Sequence, residues 1–186
     1  MLGPDDPLPR RPVRVTVAGV SGSGKTTLCR RLAGLLDLPY VEIDSLYHGP
    51  GWQPLPAFVD EVERFTAGER WVIEWQYRAV KPLIAERADL LVWLDPPTVV
   101  TLAQLIRRTI RRRIRREELW NDNYEGPLWQ VLTDPDHIIR WGIRTRNKLR
   151  EEVPGLARDR PDLPIVRLRS HRGVDRWLRR LAIDRS

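Results

Sequence analysis

Val13-Arg14-Val15-Thr16-Val17-Ala18 runs directly into Gly19-Val20-Ser21-Gly22-Ser23-Gly24-Lys25-Thr26, and Leu28, Leu32, Leu35 and Leu36 follow at helical spacing. The β-branched Val13, Val15, Thr16 and Val17 predict a strand, and the leucines predict a helix over Lys25 to Leu36. Between them every fixed position of G-x-x-x-x-G-K-[ST] is satisfied, in the strand-then-helix setting that this motif requires. The chemistry accounts for the spacing. Glycines at 19, 22 and 24 let successive backbone N–H groups point inward, and the N-terminus of the following helix adds its positive end, so an anion fits in the turn. Gly19, Ser21, Gly22, Ser23, Gly24, Lys25, Thr26 and Thr27 are therefore expected to cradle the phosphates of ATP. Lys25 has the reach to touch the β- and γ-phosphates and is an expected catalytic residue, and the Thr26 hydroxyl is the expected ligand of Mg²⁺.

Outward from this loop, strand-like and helix-like segments alternate. Tyr40-Val41-Glu42-Ile43 reads as a short strand, and Phe58, Val62 and Phe65 mark a helix that Gly68 stops. Trp71-Val72-Ile73 and Leu90-Leu91-Val92-Trp93-Leu94 are continuous apolar runs suited to strands covered on both faces, with a short helix around Leu83 to Arg87 between them. A long helix is expected from near Pro97, with Leu102, Ile106, Ile110 and Ile114 as its apolar row. Asn121 to Asp136 breaks that pattern; a helix around His137 to Glu152, a strand over Leu163 to Leu168 and a last helix through Trp177, Leu178 and Leu181 complete the chain. Such alternation predicts a parallel sheet with right-handed crossovers and helices on both faces. Pro4, Pro7, Pro9 and Pro12 deny the first residues both helix and ladder bonds, so residues 1–12 are expected to form a flexible tail and 13–186 a single domain.

Composition narrows the function classes. The chain has 186 residues, 41% hydrophobic and 31% charged, which excludes collagen, coiled coil and a wholly disordered chain. Its longest apolar runs are far short of a membrane span, and nothing near Met1 resembles a signal peptide, so a cytoplasmic location is expected. Cys29 is alone, which excludes an internal disulfide and a cysteine-built zinc site. The net charge is +7, and apart from Lys25, Lys81 and Lys148 every basic residue is Arg, whose planar fork of donors suits phosphate.

Several carboxylates and arginines are placed to work beside the loop. Asp44 follows the second predicted strand at the sheet edge where parallel sheets bind ligands, and is an expected catalytic residue, binding the acceptor hydroxyl or taking its proton. Glu74 ends the third strand and is the expected second metal-site residue, holding Mg²⁺ through water. Asp95 ends another strand, but Pro96 and Pro97 make a helix-entry cap an equal alternative. Arg107, Arg108, Arg111, Arg112, Arg113, Arg115 and Arg116 crowd one helix; Arg108 and Arg112, with 115 or 116, form one stripe that can face the phosphates, so Arg108 and Arg112 are expected in catalysis. Residues from about 107 to 136 would form an Arg-rich lid, with Arg144 and Arg146 closing from the other side. Trp52, Trp75, Trp120 and Trp129 are expected in loops, where they can wall an acceptor or stack on a base, and Trp71, Trp93, Trp141 and Trp177 in the core. His48, His137 and His171 share no metal-ligand spacing and read as capping or surface residues, and Ser170-His171-Arg172 is a candidate edge for the base. A GTPase is excluded, because Asn147-Lys148-Leu149-Arg150 lacks the guanine-binding carboxylate and no D-x-x-G follows the second strand.

The combination of Gly19 to Thr26, Ile43-Asp44-Ser45-Leu46-Tyr47-His48 with Gly51-Trp52, Trp71-Val72-Ile73-Glu74-Trp75-Gln76-Tyr77, Val92-Trp93-Leu94-Asp95-Pro96 and Val166-Arg167-Leu168-Arg169-Ser170 resembles the adenylate-kinase-like DNA topology modulation proteins. The commoner family form of the third motif reads W-V-I-D-G-N-Y, so Glu74, Trp75 and Gln76 depart from it. The resemblance implies an α/β, three-layer P-loop NTPase fold: a five-stranded parallel sheet with helices on both faces and an Arg-rich lid, using ATP and Mg²⁺. The expected activity is transfer of the γ-phosphate of Mg-ATP to a small acceptor, a nucleotide, nucleoside or hydroxyl metabolite, by a monomer or homodimer. The alternative is an ATP-binding regulatory protein or weak ATPase associated with nucleic acid, for which the charge is the motive and the lack of a nucleic-acid-binding motif the objection.

Overall fold

Four parallel strands, β1 (Arg14–Gly19), β2 (Trp71–Glu74), β3 (Leu90–Leu94) and β4 (Ile165–Leu168), lie in the order β2-β1-β3-β4. The structure is a computed structural model that describes residues 1–115, 117–124 and 138–183. Val15 pairs with Val72 on one side and Leu90 on the other, so the strand that feeds the phosphate loop has neighbours on both edges. β-branched, leucine and tryptophan residues dominate the strands, and β2 and β3 are buried along their whole length, as strands covered on both faces must be.

Strand alternation sorts the core into two layers. Val15 and Val17 face α1 (Lys25–Leu36) and α8 (His171–Ile183), where Leu28, Cys29, Leu32, Trp177 and Leu181 are buried with them. Ala18, Ile73, Leu91 and Trp93 face the other layer, built from α2 (Ile43–Tyr47), α3 (Phe58–Thr66), α4 (Lys81–Arg87) and α7 (Lys148–Asp159). Trp71 is buried, its indole N–H donating to the Thr66 carbonyl oxygen at 3.1 Å. Burial pushes the Cys29 thiol well above its ordinary pKa, leaving it a small apolar group.

The sheet corrects the expectation of five strands. Tyr40 makes a single parallel bridge to Val72, and the Val72 N–H donates to the Pro39 carbonyl oxygen at 2.8 Å, but the pairing goes no further. The Ile43 N–H is taken by the Glu74 carboxylate at 3.1 Å, and the chain turns there into α2 instead of continuing a ladder. The first residues also differ from a loose tail: Leu2 bridges to Val166, its N–H donating to Ile165 and its carbonyl accepting from Arg167, at 2.7 and 2.8 Å. Asp5 pairs with Arg176 of α8. An unpaired edge of β4 offers main-chain partners to any extended segment, proline-rich or not.

The long helix α5 (Thr98–Arg115) forms where expected but presents a different face. Thr101, Leu105 and Thr109 are its buried row, whereas Ile106, Ile110 and Ile114 are 39%, 38% and 75% exposed. The reason is contact with the phosphate loop. A Cβ on Gly22 would lie 2.3 Å from the Thr101 carbonyl oxygen and 3.0 Å from Leu105 Cβ, so the helix is seated on the loop through the row that allows the closest approach. A Cβ on Gly142, in α6 (Ile138–Arg144), would lie 2.5 Å from Leu105 Cδ2, which sets Leu105 between the loop and α6.

Candidate active site

The phosphate loop is built from left-handed backbone that its sequence permits. Gly22 and Gly24 have φ of 81° and 93°, and α1 begins at Lys25 immediately after. Gly19 is needed for space, since a Cβ there would lie 2.2 Å from Ser23 Oγ. Ser23 Oγ is buried and meets no partner. Lys25 Nζ makes one long hydrogen bond, 3.4 Å to the Val20 carbonyl oxygen. Burial pulls the Lys25 pKa below its ordinary value, opposed by the Asp44 and Glu74 carboxylates and assisted by Arg108. An orphaned hydroxyl, an ammonium without an ion pair among the described residues, and inward N–H groups at a helix start are what a polyphosphate satisfies, so these residues fit the phosphates of a nucleotide. Thr26 is part-buried on the first turn of α1, and Thr27 is exposed.

The structure brings Asp44 to this loop and adds partners that sequence reading did not find. Asp44 Oδ1 accepts from Gln76 Nε2 and from Tyr77 Oη, both at 2.7 Å, while no described residue bonds Oδ2. Tyr77 Oη also lies 3.1 Å from His48 Nε2. Around them stands an aromatic wall. The Tyr47 and Tyr77 rings stack at 4.0 Å, the His48 and Trp120 rings lie parallel at 5.8 Å, and Trp52 meets His48 edge-on at 5.1 Å. Trp52 is 42% exposed, which leaves its ring open to a ligand. His48 is the C-cap residue of α2, its N–H donating to the Asp44 carbonyl oxygen at 3.0 Å, which fits the capping alternative, and it is a wall member as well. The signal for the second role in sequence was its place four residues after Asp44, one turn further along the chain.

Two loops are fastened together beside this wall. The Trp52 N–H donates to Asn123 Oδ1 at 2.9 Å, and Asn123 Nδ2 donates to the carbonyl oxygens of Gly49 and Trp120 at 2.9 and 2.8 Å. Asn121 Nδ2 donates to the His48 carbonyl oxygen. Asn123 is buried, and its bond to the Gly49 carbonyl is matched away from water.

The remaining predicted residues divide. Glu74 is buried with both oxygens engaged: Oε1 accepts from Tyr40 Oη at 2.8 Å and Oε2 from the Ile43 N–H at 3.1 Å. Burial raises its pKa against those bonds. A second lone pair on each oxygen remains, on which a metal-bound water would be held in the expected role. Arg108 and Arg112 are half-buried on the loop side of α5, and the Arg112 guanidinium lies 6.0 Å from the Trp120 ring, whereas Arg107, Arg111, Arg113 and Arg115 are exposed. Asp95 is tied to Arg150 and Arg167 in a structural knot between β3, α7 and β4. Trp75 is buried under α4, donating to the Lys81 carbonyl oxygen at 3.0 Å, so it neither stacks on a ligand nor crowds the acceptor space. Ser170 caps α8, its Oγ accepting from the Gly173 N–H at 3.1 Å, and His171 pairs with Gln104. Arg116, Trp129, His137, the side chain of Trp141 and residues 125–136 of the expected lid lie outside the described residues.

The α/β fold, a parallel sheet flanked by helices with this loop after β1, matches that of P-loop kinases. The structure superposes on a gluconokinase from Sinorhizobium meliloti 1021 with a TM-score of 0.53 at 20% identity, covering 94% of this chain and 96% of that one. A shikimate kinase from Acinetobacter baumannii, solved in complex with shikimate, gives 0.54 at 17% identity and 92% of each chain. In sequence, 80 residues are 34% identical to a cytidylate kinase from Acidiphilium cryptum, covering 43% of this chain and 35% of that protein. A further 29% identity over 115 residues links it to a cytidylate kinase from Pyrococcus furiosus, covering 54% of this chain and 60% of that protein. The chain thus spans between about a third and three-fifths of the length of these relatives. No family model matches the chain. No helix among the described residues is long and apolar enough to cross a membrane.

Proposed function

We propose that the protein is an ATP-dependent phosphotransferase that moves the γ-phosphate of ATP to an oxygen of a small acceptor. The observation that carries the reading is the convergence of the Lys25 phosphate loop with Asp44, a carboxylate that keeps one oxygen without a partner among the described residues and acts on the Lys25 charge. The names of the two cytidylate kinase relatives support phosphoryl transfer, and the motifs shared with the DNA topology modulation proteins support a small kinase of that kind. In this reading the loop N–H groups and Lys25 hold the phosphates of ATP, with the Ser23 hydroxyl as a further donor. Thr26 would hold Mg²⁺, which would supply neutralisation of the phosphate charge. The acceptor hydroxyl lies at Asp44 Oδ2; as its oxygen bonds to the γ-phosphorus and the bond to the β-γ bridging oxygen breaks, its proton passes to that carboxylate. Arg108 and Arg112 stabilise the charge on the transferring group, and the wall of Trp52, His48 and Trp120 takes the apolar or planar face of the acceptor. Glu74 serves by fixing the β2 end to the start of α2, which carries Asp44.

The test is the fate of the phosphate. ATP labelled on the γ-phosphate, incubated with pools of nucleosides, nucleoside monophosphates and small polyols, is expected to yield a labelled acceptor. The label is expected to vanish in Lys25→Met and to fall by about 10²- to 10⁴-fold in Asp44→Asn. Slow release of free phosphate alone, whatever pool is added, overturns the reading. A nucleoside monophosphate acceptor is the second reading, suggested by the relatives' names and by Arg112 beside Trp120; activity that survives Asp44→Asn would replace the hydroxyl-acceptor reading by this one, because a phosphate oxygen needs no base.

A further inference from the structure

The hydrogen bonds around Asp44 fix the state of a residue that the proposed reaction does not touch. A tyrosine hydroxyl carries one proton. The Tyr77 proton is spent on ionised Asp44, to which Tyr77 Oη lies at 2.7 Å, so in its other bond the same oxygen must accept. The partner there is His48 Nε2 at 3.1 Å, and the donor is therefore Nε2–H. The reverse assignment would leave two acceptor oxygens 2.7 Å apart with no proton between them unless Asp44 were itself protonated. In the neutral ring Nδ1 then carries a lone pair, and it is buried without a partner.

The backbone is strained toward the same point. Trp52, Tyr77 and Asn121 hold φ of 62°, 60° and 54°, in the left-handed region that costs a side-chain-bearing residue about 1–2 kcal/mol each. Tyr77 bonds His48, Trp52 packs against its ring and Asn121 bonds its carbonyl oxygen. Strain of this kind persists where the surroundings over-determine a geometry, and here it gathers around one imidazole. The groups that face His48 are Asp44 on the helix that it caps and Tyr77 from the loop after β2, and the Trp120 ring beside it lies 6.0 Å from the Arg112 guanidinium of α5.

We propose that His48 is a positioning residue: its Nε2–H fixes the Tyr77 hydroxyl, which with Gln76 saturates Asp44 Oδ1 and leaves Oδ2 turned to the acceptor. This rests on the role given to Asp44 above.

Three variants and one spectrum test it. His48→Phe keeps an aromatic ring against Trp120 but removes the donor; acceptor kcat/KM is expected to fall about tenfold across the pH profile, with KM for ATP unchanged. His48→Gln places an amide N–H at the reach of Nε2 and is expected to restore kcat/KM. A long-range ¹H–¹⁵N spectrum of the whole protein is expected to show His48 as the Nε2–H tautomer, and Tyr77→Phe to release it into a mixture. If His48→Phe keeps the parent kcat/KM while Asp44→Asn is inactive, or if the ring is found as Nδ1–H, the relay is overturned and the reading of Asp44 stands. If Asp44→Asn is fully active, that reading falls instead, and the tautomer still decides whether the relay exists.

Discussion

Lys25 is held at a cost that a bound anion removes. Its folded-state pKa lies below the ordinary 10.5, so relative to an uncharged lysine its contribution to stability is full only above that value and declines as the pH falls toward neutrality. Lys25→Met is therefore expected to raise the melting temperature of the ligand-free protein by a few degrees, corresponding to about 1 kcal/mol, while abolishing the further rise that ATP gives the parent chain. Calorimetry with and without nucleotide measures both; a ligand-free variant less stable than the parent would contradict it. His48 has a related signature. Burial, opposed by Asp44, lowers its pKa below 6.5, so its share of stability is full above 6.5 and is lost as the pH falls through the folded-state value. His48→Gln should lose that slope, read from denaturation midpoints between about pH 5 and 7. The loop residues were legible in the sequence because their role is written in backbone geometry, which glycine and its spacing encode locally. The partners of Asp44 were not, since Gln76 and Tyr77 reach it across 32 and 33 positions and only the packing of β2 against α2 brings them there.

α5 shows how an element can be found and its face misjudged. The four-residue recurrence of Ile106, Ile110 and Ile114 is a stronger apolar signal than Thr101, Leu105 and Thr109, yet the second row is the buried one. Periodicity reports that one side of a helix differs from another; close approach to Gly22 decides which side is used, and that contact is tertiary. Leu105→Ala should cost about 2–4 kcal/mol as a core truncation, whereas Ile110→Gln should change stability by no more than about 0.5 kcal/mol as a surface substitution. Urea midpoints of the two variants settle the order. Gly22→Ala is expected to displace α5, since its methyl would enter the Thr101 carbonyl, and to weaken nucleotide binding without unfolding the sheet. A Gly22→Ala protein with parental nucleotide affinity would show that the helix yields freely.

Across the whole molecule, the alternation of strands and helices gave the parallel sheet and its two covered faces, and the apolar runs gave the central strands. The count of strands and the course of the first residues were beyond that reading, because both depend on which sheet edge is left open. Deleting residues 1–8 would remove the main-chain bonds of Leu2 to β4 and the pairing of Asp5 with α8, and is expected to lower the melting temperature by about 3–6 °C. A truncated chain that melts with the parent would mean that the segment lies on the edge without supporting it.

Asn123 and Gly49 stand 74 positions apart and share one buried amide. For a diverging lineage they form a single unit of inheritance: losing the amide strands the Gly49 carbonyl and the Trp52 N–H together, while a side chain at 49 would collide with Leu55 and shift the carbonyl that Asn123 needs. Neither segment can drift alone. Related sequences should therefore keep or exchange 49–52 and 123 in concert, so that the breadth of acceptors such proteins explore is limited by how readily two distant stretches change at once.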